Sequence, residues 1–396
     1  MRKLQLSRTG FNKLKSHQKE LKVIDFEDSI KSIPPGEWCI YSSPTSDEAW
    51  VGFINPNIQD KFACAQVLTS LPKGASTFEP AIFIKECLAK AYHKRLMFKG
   101  YDKGSRLFYG TSDGLTGLII DHFENASVIQ INTAGIDRYR DHIQKALSEI
   151  TGVPAFLLDN AKYREKESLP SFENEPLPDL KIIENDVEYS LRSDIIQKVG
   201  FYYDHRENRI QLQQLLNRMT FKPDKGLDLF CYAGAWGLNA LKAGVPWVEF
   251  VDQGNLQEEV MNALKLNGLV DRGLFHRNDV FKFLDEAISK NRKFDLILCD
   301  PPAFAKSVQQ KPQALEGYSK LHRKVMRLAS PLAICTFSSC THYISHEEFQ
   351  KNILDAANKE GRKIRLLYCG MQGWDHPVSS LDDKANYIKS YFYILE

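Results

Sequence analysis

The sequence contains no apolar run that approaches the roughly 18–20 residues needed to cross a bilayer. Its first 22 residues also contain no apolar core of the signal-peptide type. The 52 Lys and Arg residues nearly balance the 50 Asp and Glu residues, and a net charge of +2 excludes a uniformly basic nucleic-acid binder. Hydrophobic residues at 43% and charged residues at 26% exclude a mainly disordered or fibrous chain. We therefore expect a cytoplasmic protein with a substantial core.

Paired cysteines at metal-binding spacing are also missing. None of the eight cysteines forms a CxxC pair, so we expect neither a structural zinc site nor an iron–sulfur cluster, and no metal. In a reducing compartment most cysteines are small buried thiols. We expect this of the following four: Cys39, Cys64, Cys87 and Cys369. The other four, in the C-terminal half, include the candidates for a nucleophile: Cys231, Cys299, Cys335 and Cys340.

Positive charge is concentrated at the N-terminus. Residues 1–22 carry seven Lys and Arg side chains against a single acid, Glu20. Such a cluster fits a solvated helix face, and it equally fits contact with nucleic-acid phosphates, because clustered cations release counterions from the backbone. Both interpretations stay open at this point.

The length indicates two or three domains at roughly 150 residues each. Short β-like segments (WCIYS, WVGFI, FACAQVL) predict a small, mainly β domain over residues 1–75. Residues 76–190 mix strand-like segments with a helix near 138–150 and a hairpin at 180–191, which predicts a small α+β domain. Residues 165–179 hold five acids and three prolines and should form an exposed, non-helical connection.

Residues 191–396 alternate short apolar strands with helices. The strand-like segments are GLDLF, VEFVD, FDLILCD and AICTF, and helical stretches are predicted near 235–243, 256–266, 280–289 and 314–328. This pattern predicts an α/β domain with a doubly wound, mainly parallel sheet. Sheets of this kind bind ligands beyond the carboxyl ends of their strands. Candidate site residues are therefore sought at those strand ends.

The first two of these strands end in residues suited to a nucleotide-containing cofactor. Asp228 and Phe230 lead into a turn of small residues around Gly234, and Asp252 ends the second strand 24 residues later, where its carboxylate could accept ribose hydroxyls. This pattern fits NAD or S-adenosylmethionine, but the strict GxGxxG of dinucleotide folds is missing, which favours S-adenosylmethionine. Asp279, after the third strand, could receive an adenine amino group, cap the next helix, or do both.

The fourth strand opens into DPPAF and the fifth into SSCTH. Pro301 and Pro302 should form a rigid wall beside Asp300, which could hydrogen-bond the exocyclic amine of a base. Cys340 follows the fifth strand and should face the ligand crevice, which makes it the candidate nucleophile. Cys231 and Cys299 are expected to line the pocket.

Several segments together carry a resemblance to a known family. They are RLFYGTSDGLTGLIIDHF, GFYYDHRENR (200–209), DLFCYAGAWG, NDVFKFL, DPPAF, SSCTH and DHPV (375–378). From residue 106 onward the chain resembles the bacterial cytosine-5 methyltransferases of large-subunit ribosomal RNA. Members of that family join a PUA RNA-binding domain, a small α+β domain and an S-adenosylmethionine-dependent catalytic domain. The resemblance implies ribosomal RNA as partner and a PUA-like N-terminal domain, and it implies no membrane; a homodimer stays open.

The resemblance also implies roles for individual residues. Cys340 would add to carbon 6 of a cytosine flipped out of its stack, while Asp300 binds and polarises the base. The implied cofactor-binding set is Asp228, Phe230, Gly234, Asp252, Asp279, Asp300, Tyr203 and Arg206. The implied substrate-binding set is Phe201, Asp204, Pro301, Pro302 and Phe304. The family's Ser-Cys pair usually lies one residue nearer the strand than the spacing in TFSSC gives, so either SCTH realigns or the nucleophile has shifted. Cys335 is the upstream alternative.

The segment 200–209 has its own interpretation from its residues. Its aromatic side chains suit stacking on bases and its two arginines suit phosphate, as expected of a loop that faces RNA. A purely structural entry into a helix is the alternative. The resemblance adds that this segment would close over cofactor and target.

Three other functions remain to be weighed. A guanine-position-7 ribosomal RNA methyltransferase could use the same two C-terminal domains without a cysteine. A non-catalytic RNA-binding or ribosome-assembly factor could retain the fold, although Asp228, Asp252, Asp300 and Cys340 argue against it. An NAD-dependent oxidoreductase would leave DPPAF and SSCTH without a role. Methyltransferases of exocyclic amines usually place an aromatic directly after Pro-Pro, whereas Ala303 stands there in this chain.

Overall fold

The computed structural model describes residues 1–58, 63–72, 77–159, 161–195, 200–381, 383 and 385–396. It divides into two compact units, one formed by Met1–Leu180 with Ser193–Phe201 and the other by Lys181–Arg192 with Tyr202–Glu396. The boundary predicted at 75/76 falls on residues outside the described ranges. Within those ranges, no helix combines the length and the apolar character that a membrane span requires.

The first unit begins with a five-stranded sheet and one helix. Their bounds are β1 (Arg2–Gln5), α1 (Arg8–Lys15), β2 (Glu20–Leu21), β3 (Glu37–Ser43), β4 (Ser46–Ile54) and β5 (Ala65–Ser70). The strand order is β1-β3-β4-β5-β2, with β1 parallel to β3 and the other pairs antiparallel. The three predicted β segments are confirmed as β3, β4 and β5, although Phe62, which opens the third segment, lies outside the described residues.

Several basic side chains of the N-terminal segment form ion pairs. Helix α1 begins after Ser7, whose hydroxyl accepts the backbone N–H of Gly10 at 3.2 Å. The pairs are Lys13 with the buried Asp25 (2.6 Å), Arg2 with Glu37 (2.9 Å) and Lys15 with Glu48 (2.8 Å). Part of the positive charge of residues 1–22 is therefore balanced within the unit itself.

The rest of the first unit is a four-stranded sheet with helices. Its elements are α2 (Pro80–Leu96), β6 (Gly104–Tyr109), β7 (Leu118–Phe123), β8 (Ser127–Ile131), α3 (Ala134–Asp137), α4 (Arg140–Thr151), β9 (Ala155–Leu157) and α5 (Ala161–Lys166). The predicted strands and the helix near 138–150 are confirmed, whereas α2 was not predicted. The indole N–H of Trp38, in β3, donates to the carbonyl of Gly135, in α3, at 2.9 Å, which links the five-stranded sheet to this helix.

The hairpin predicted at 180–191 is confirmed as β10 (Leu180–Glu184) and β11 (Val187–Leu191). Its turn residues, Asn185 and Asp186, have φ values of 55° and 61°, as the twist of a tight two-residue hairpin requires. The sequence analysis placed this hairpin in the small α+β domain, but it groups with the second unit. The reason is Glu184, which is buried between two arginines of that unit, Arg206 and Arg209.

The second unit is built on a seven-stranded sheet. Its strands are β12 (Lys225–Leu229), β13 (Trp247–Asp252), β14 (Gly273–Arg277), β15 (Phe294–Cys299), β16 (Ala329–Ser339), β17 (Ile364–Gly370) and β18 (Lys389–Leu395). Its helices are α6 (Arg206–Arg218), α7 (Ala235–Lys242), α8 (Gln257–Leu266), α9 (Val280–Ser289), α10 (Lys311–Leu328) and α11 (His346–Lys359). The strand order is β14-β13-β12-β15-β16-β18-β17, and only β18 runs antiparallel to its neighbours.

This topology confirms the predicted α/β fold and locates the site. The carboxyl ends of β12, β13, β15 and β16 meet at one edge of the sheet, where a doubly wound fold binds its ligand. The predicted helices match α7, α8, α9 and α10, and the core lies between them and the sheet.

The two last strands bring one correction. Cys369 was expected to be a core thiol, but it is exposed, because β17 is the edge strand of the sheet. The remaining cysteines assigned to the core, Cys39, Cys64 and Cys87, are buried as expected.

Candidate active site

The turn after β12 has an unusual backbone. Phe230, Tyr232 and Gly234 have φ values of 60°, 47° and 76°, a left-handed conformation that side chains other than glycine rarely adopt. A Cβ atom added at Gly234 would stand 3.2 Å from the ring of Phe250, so the close packing behind the turn also favours glycine. Strained turns of this kind persist where the surrounding structure fixes them and are frequent at ligand sites.

Two acids secure this turn. Oδ2 of the fully buried Asp228 accepts the backbone N–H of Gly237 at 2.8 Å, and its Oδ1 has no hydrogen-bond partner among the described residues. Burial, with a further contribution from the charges of Asp300 and Asp252, raises the pKa of Asp228 well above its ordinary value. Asp252 accepts the N–H of Tyr232 at 3.1 Å and that of Gly254 at 2.8 Å. Its half-exposed carboxylate keeps lone pairs for further donors.

Asp300 is held from two sides at the end of β15. The indole N–H of Trp236 donates to its Oδ2 at 3.0 Å, and Nε2 of His205 lies 3.4 Å from its Oδ1. Burial disfavours the charged imidazole, but the charges of Asp300 and Asp204 outweigh burial and raise the pKa of His205. The Asp300 side chain stays 22% exposed, so it can still reach a ligand.

Besides His205, the segment 200–209 brings Tyr202 to the turn after β12. Its ring centroid lies 5.1 Å from that of Tyr232. Burial and the neighbouring charges, among them Cys340 and Asp300, raise the pKa of Tyr202 to about 12. The sequence analysis named its neighbours and not Tyr202 itself, and no sequence signal distinguishes which aromatic of this short turn points to the acids.

The residues that were named in this segment lie in the interior. Phe201 belongs to the first unit and is buried, and Tyr203 and Arg206 are buried in the second unit. The guanidinium of Arg206 lies 5.1 Å from the centre of the Tyr203 ring and 3.3 Å from Glu184. Their buried positions fit a structural role, in which they stabilise the conformation of the segment 200–209.

Asp204 connects this segment to the loop after β17. Its Oδ2 accepts the hydroxyl of Tyr387 at 2.7 Å, and its carbonyl accepts the N–H of Gly373 at 2.8 Å. The next residue in that loop, Trp374, is 57% exposed. The loop therefore presents a large aromatic surface next to the segment that holds Asp300.

The four C-terminal cysteines differ in accessibility. Cys231, Cys299 and Cys335 are buried, and burial raises the pKa of Cys335 to about 12 and those of Cys231 and Cys299 well above their ordinary value. Cys340 is only partly buried and follows directly after β16. Its position fits a nucleophile, whereas the alternative, Cys335, lies within the strand.

A buried tyrosine fixes the cysteine loop. The hydroxyl of Tyr318 lies 2.9 Å from the side-chain oxygens of both Ser339 and Thr341, which flank Cys340. The ring of Phe304, from the DPPAF segment, packs 4.5 Å from that of Tyr318. Tyr318 of α10 therefore contacts both loops: its ring packs on Phe304 after β15, and its hydroxyl contacts the residues that flank Cys340 after β16.

The remaining predicted residues lie around this edge. Pro301 is buried and Pro302 is exposed. Asp279 is exposed and caps α9, because its Oδ1 accepts the N–H of Lys282 at 3.0 Å, which confirms the capping interpretation.

The fold and these strand ends define an α/β methyltransferase, and comparison with known proteins supports this. A family model described as S-adenosylmethionine-dependent methyltransferase matches residues 110–344. The chain is 32% identical over 294 residues to ribosomal RNA large subunit methyltransferase I of Shewanella denitrificans, covering 72% of this chain and 73% of that protein. The same protein of Shewanella frigidimarina is 31% identical with the same coverage. The chain belongs to the S-adenosylmethionine-dependent methyltransferase family.

Solved structures share the fold over the full length. A candidate S-adenosylmethionine-dependent methyltransferase from Streptococcus mutans aligns with a TM-score of 0.73 at 18% identity, covering all of both chains. A second candidate methyltransferase, solved with S-adenosylhomocysteine, aligns with a TM-score of 0.76 at 19% identity, again covering both chains fully.

The family establishes S-adenosylmethionine as the cofactor, and the residues at the strand ends fit it. The Asp252 carboxylate keeps lone pairs that suit the vicinal hydroxyls of a ribose. Gly234 permits the left-handed backbone of the turn and its close packing on Phe250.

Proposed function

We propose that this protein methylates carbon 5 of a cytosine in large-subunit ribosomal RNA, with Cys340 as the covalent nucleophile. The observation that carries the proposal is the partly accessible Cys340 on the loop that follows β16, at the same sheet edge as Asp300. The names of the relatives, which are large-subunit ribosomal RNA methyltransferases, support the substrate class.

The cofactor would lie along the turn 230–234 and the ends of β12 to β15. In the proposed arrangement Asp252 accepts the ribose hydroxyls and Asp279 receives the adenine amino group, while the buried Asp228 keeps the turn in shape. Tyr203 and Arg206 were predicted to contact the cofactor; since both are buried beside Glu184, we assign them support of the segment and give the contact to Tyr202.

S-adenosylmethionine supplies an electrophilic methyl group when bound. The Cys340 thiolate adds to carbon 6 of the cytosine, which makes carbon 5 nucleophilic. Asp300, oriented by Trp236 and His205, hydrogen-bonds the polar edge of the base and stabilises the adduct. After methylation of carbon 5, a base takes the proton from that carbon, the carbon 6–sulfur bond breaks, and Cys340 is released.

The target cytosine must leave its stack to reach this edge of the sheet. Exposed aromatic side chains near the site, Tyr343 and Trp374, offer faces on which neighbouring bases can stack. The proposal also assigns the five-stranded N-terminal sheet and α1 to RNA binding as a PUA-like domain, because part of the basic surface of residues 1–22 lies there.

The test is a methylation assay on unmodified ribosomal RNA with labelled S-adenosylmethionine and mass identification of the digested nucleosides. We expect 5-methylcytosine from the wild type and from Cys335→Ala, and none from Cys340→Ala. A methylguanine that forms with both variants would instead establish the position-7 chemistry, and no label in RNA would favour a binding factor.

A further inference from the structure

Lys389 is a buried cation for which the chemistry above has no role. It opens β18 and pairs in register with Ser339, the residue directly before Cys340. Only 3% of the residue is exposed. An ammonium group is rarely buried unless specific partners compensate for its lost hydration.

The partners of Lys389 are on the cysteine loop. Its Nζ donates to the carbonyl of Thr341 at 2.7 Å and to that of Ile344 at 2.9 Å. These two carbonyls belong to the loop that begins at Cys340, so the ammonium fixes its path. Across the described residues, no carboxylate lies within ion-pair distance of this ammonium.

The loop is therefore fixed on two sides by buried groups of different charge. Tyr318, from α10, holds the side chains on both sides of Cys340 with a neutral hydroxyl. Lys389, from β18, holds the backbone with a positive charge. This difference makes the two contributions separable by experiment.

Other titratable groups also face this region. Those that interact electrostatically with Cys340 or Lys389 are Tyr202, Tyr318, Glu348 and His346, and Asp300 interacts with the two tyrosines. The Glu348 carboxylate favours the charged form of Lys389, and the Lys389 ammonium in turn favours a negative charge on the Cys340 sulfur. Burial lowers the pKa of Lys389 to about 8, and the opposing charges of Cys340 and Glu348 limit this decrease, so the ammonium is still mainly charged at pH 7.

We propose that Lys389 is a positioning residue for Cys340, which fixes the loop through two carbonyls and stabilises the thiolate by its positive charge. This inference rests on the proposed role of Cys340 as the nucleophile. Its test needs neither RNA nor cofactor, so its outcome is separate from whether 5-methylcytosine is formed.

The experiment measures the rate of Cys340 alkylation by iodoacetamide against pH, in the full-length protein, by mass spectrometry of the Cys340 peptide. Cys369→Ser is used throughout as the background, because Cys369 is also exposed. In Lys389→Met we expect the pH midpoint of alkylation to rise by about one unit and the rate at pH 7 to fall about tenfold, because a neighbouring opposite charge is lost. Lys389→Arg should retain most of the wild-type profile.

Tyr318→Phe is the matched control, because it loosens the loop without changing its charge. We expect it to leave the pH midpoint where it is in the wild type. An unchanged midpoint in Lys389→Met, or an equal shift in Tyr318→Phe, would overturn the proposal. Folding of each variant is checked by circular dichroism, and Lys389→Gln replaces Lys389→Met if the latter is unfolded.

Discussion

The buried His205 pairs with the partly exposed Asp300, and Nε2 of the imidazole lies 3.4 Å from Oδ1 of the carboxylate. The other carboxylate oxygen accepts the indole N–H of Trp236 at 3.0 Å. On the far side of the imidazole, the amide nitrogen of Asn208 lies 3.1 Å from Nδ1. The FYYDHR and DPPAF segments therefore meet through these side chains, and His205 contacts the acid that we propose binds the target base.

The first prediction concerns stability against pH. The neighbouring acids raise the pKa of His205 despite its burial, so the protonated pair stabilises the fold fully below the ordinary histidine pKa of about 6.5. This contribution is lost as the pH rises through the folded-state pKa. We expect His205→Gln to lower the free energy of unfolding more at pH 5.5 than at pH 8.5, as measured by urea denaturation. The exposed His17→Gln is the control, and an equal loss at both pH values would contradict the prediction.

The second prediction concerns Trp374, which we propose as a surface on which RNA bases stack. Stacking of a base on an aromatic side chain contributes roughly 1–3 kcal/mol. We therefore expect Trp374→Ala to weaken RNA binding about tenfold in a filter-binding titration, while Trp374→Phe retains most of the affinity and cofactor binding is unchanged. The control is Phe221→Ala. Phe221 is 84% exposed and precedes the amino end of β12, whereas the candidate site lies at the carboxyl ends of the strands. Equal RNA affinity of wild type and Trp374→Ala would remove this residue from the proposed surface.

The third prediction concerns the support of the segment 200–209. Arg209 is buried and binds Glu184 through two hydrogen bonds of 2.5 and 2.8 Å, and it also donates to the carbonyl of Tyr202 at 3.0 Å. Removing one partner of a buried ion pair leaves an uncompensated charge and costs about 3–5 kcal/mol. Because Glu184 keeps its second partner, Arg206, the Arg209→Met variant should lose no more than this amount of unfolding free energy, measured by urea denaturation.

Two further experiments test the Glu184–Arg209 ion pair: a double variant of both residues, and a control variant at an exposed ion pair. The double variant Glu184→Leu with Arg209→Met should lose less than the sum of the single variants, because the Glu184–Arg209 interaction is lost once in the double variant and is counted twice in the sum. Glu316→Ala, which breaks the exposed pair with Lys320, should leave the unfolding midpoint unchanged. Additive losses in the double variant would contradict the assigned ion pair.

The parallel sheet and its strand-end residues were predictable because their signals are local. Short, mainly apolar segments that contain Asp228 or end in Asp252 and Asp300 carry both the strand and the functional group. The turn around Gly234 is similarly recognisable from its small residues. Parallel strands then bring these ends to one edge without further information.

Other site features depend on contacts between distant parts of the chain. Lys389 lies beside Cys340 only because β18 inserts antiparallel between β16 and β17, and no local pattern specifies that register. Tyr202 and Tyr203 are adjacent and chemically alike, and only the burial of the second against Arg206 separates their roles. The hairpin at 180–191 was recognised, but its unit is decided by Glu184 and the arginines of α6.

The most direct measurement of the central claim is covalent trapping on large-subunit ribosomal RNA transcribed with 5-fluorocytidine. Fluorine at carbon 5 cannot leave as the proton does, so an adduct with Cys340 should accumulate once the methyl group has been transferred. We predict a protein–RNA band on a denaturing gel that requires S-adenosylmethionine, forms with Cys335→Ala, is missing with Cys340→Ala, and maps to the Cys340 peptide by mass spectrometry. Methylation of the unmodified RNA without any such adduct, or an adduct that persists in Cys340→Ala, would contradict the assignment of Cys340 as the nucleophile.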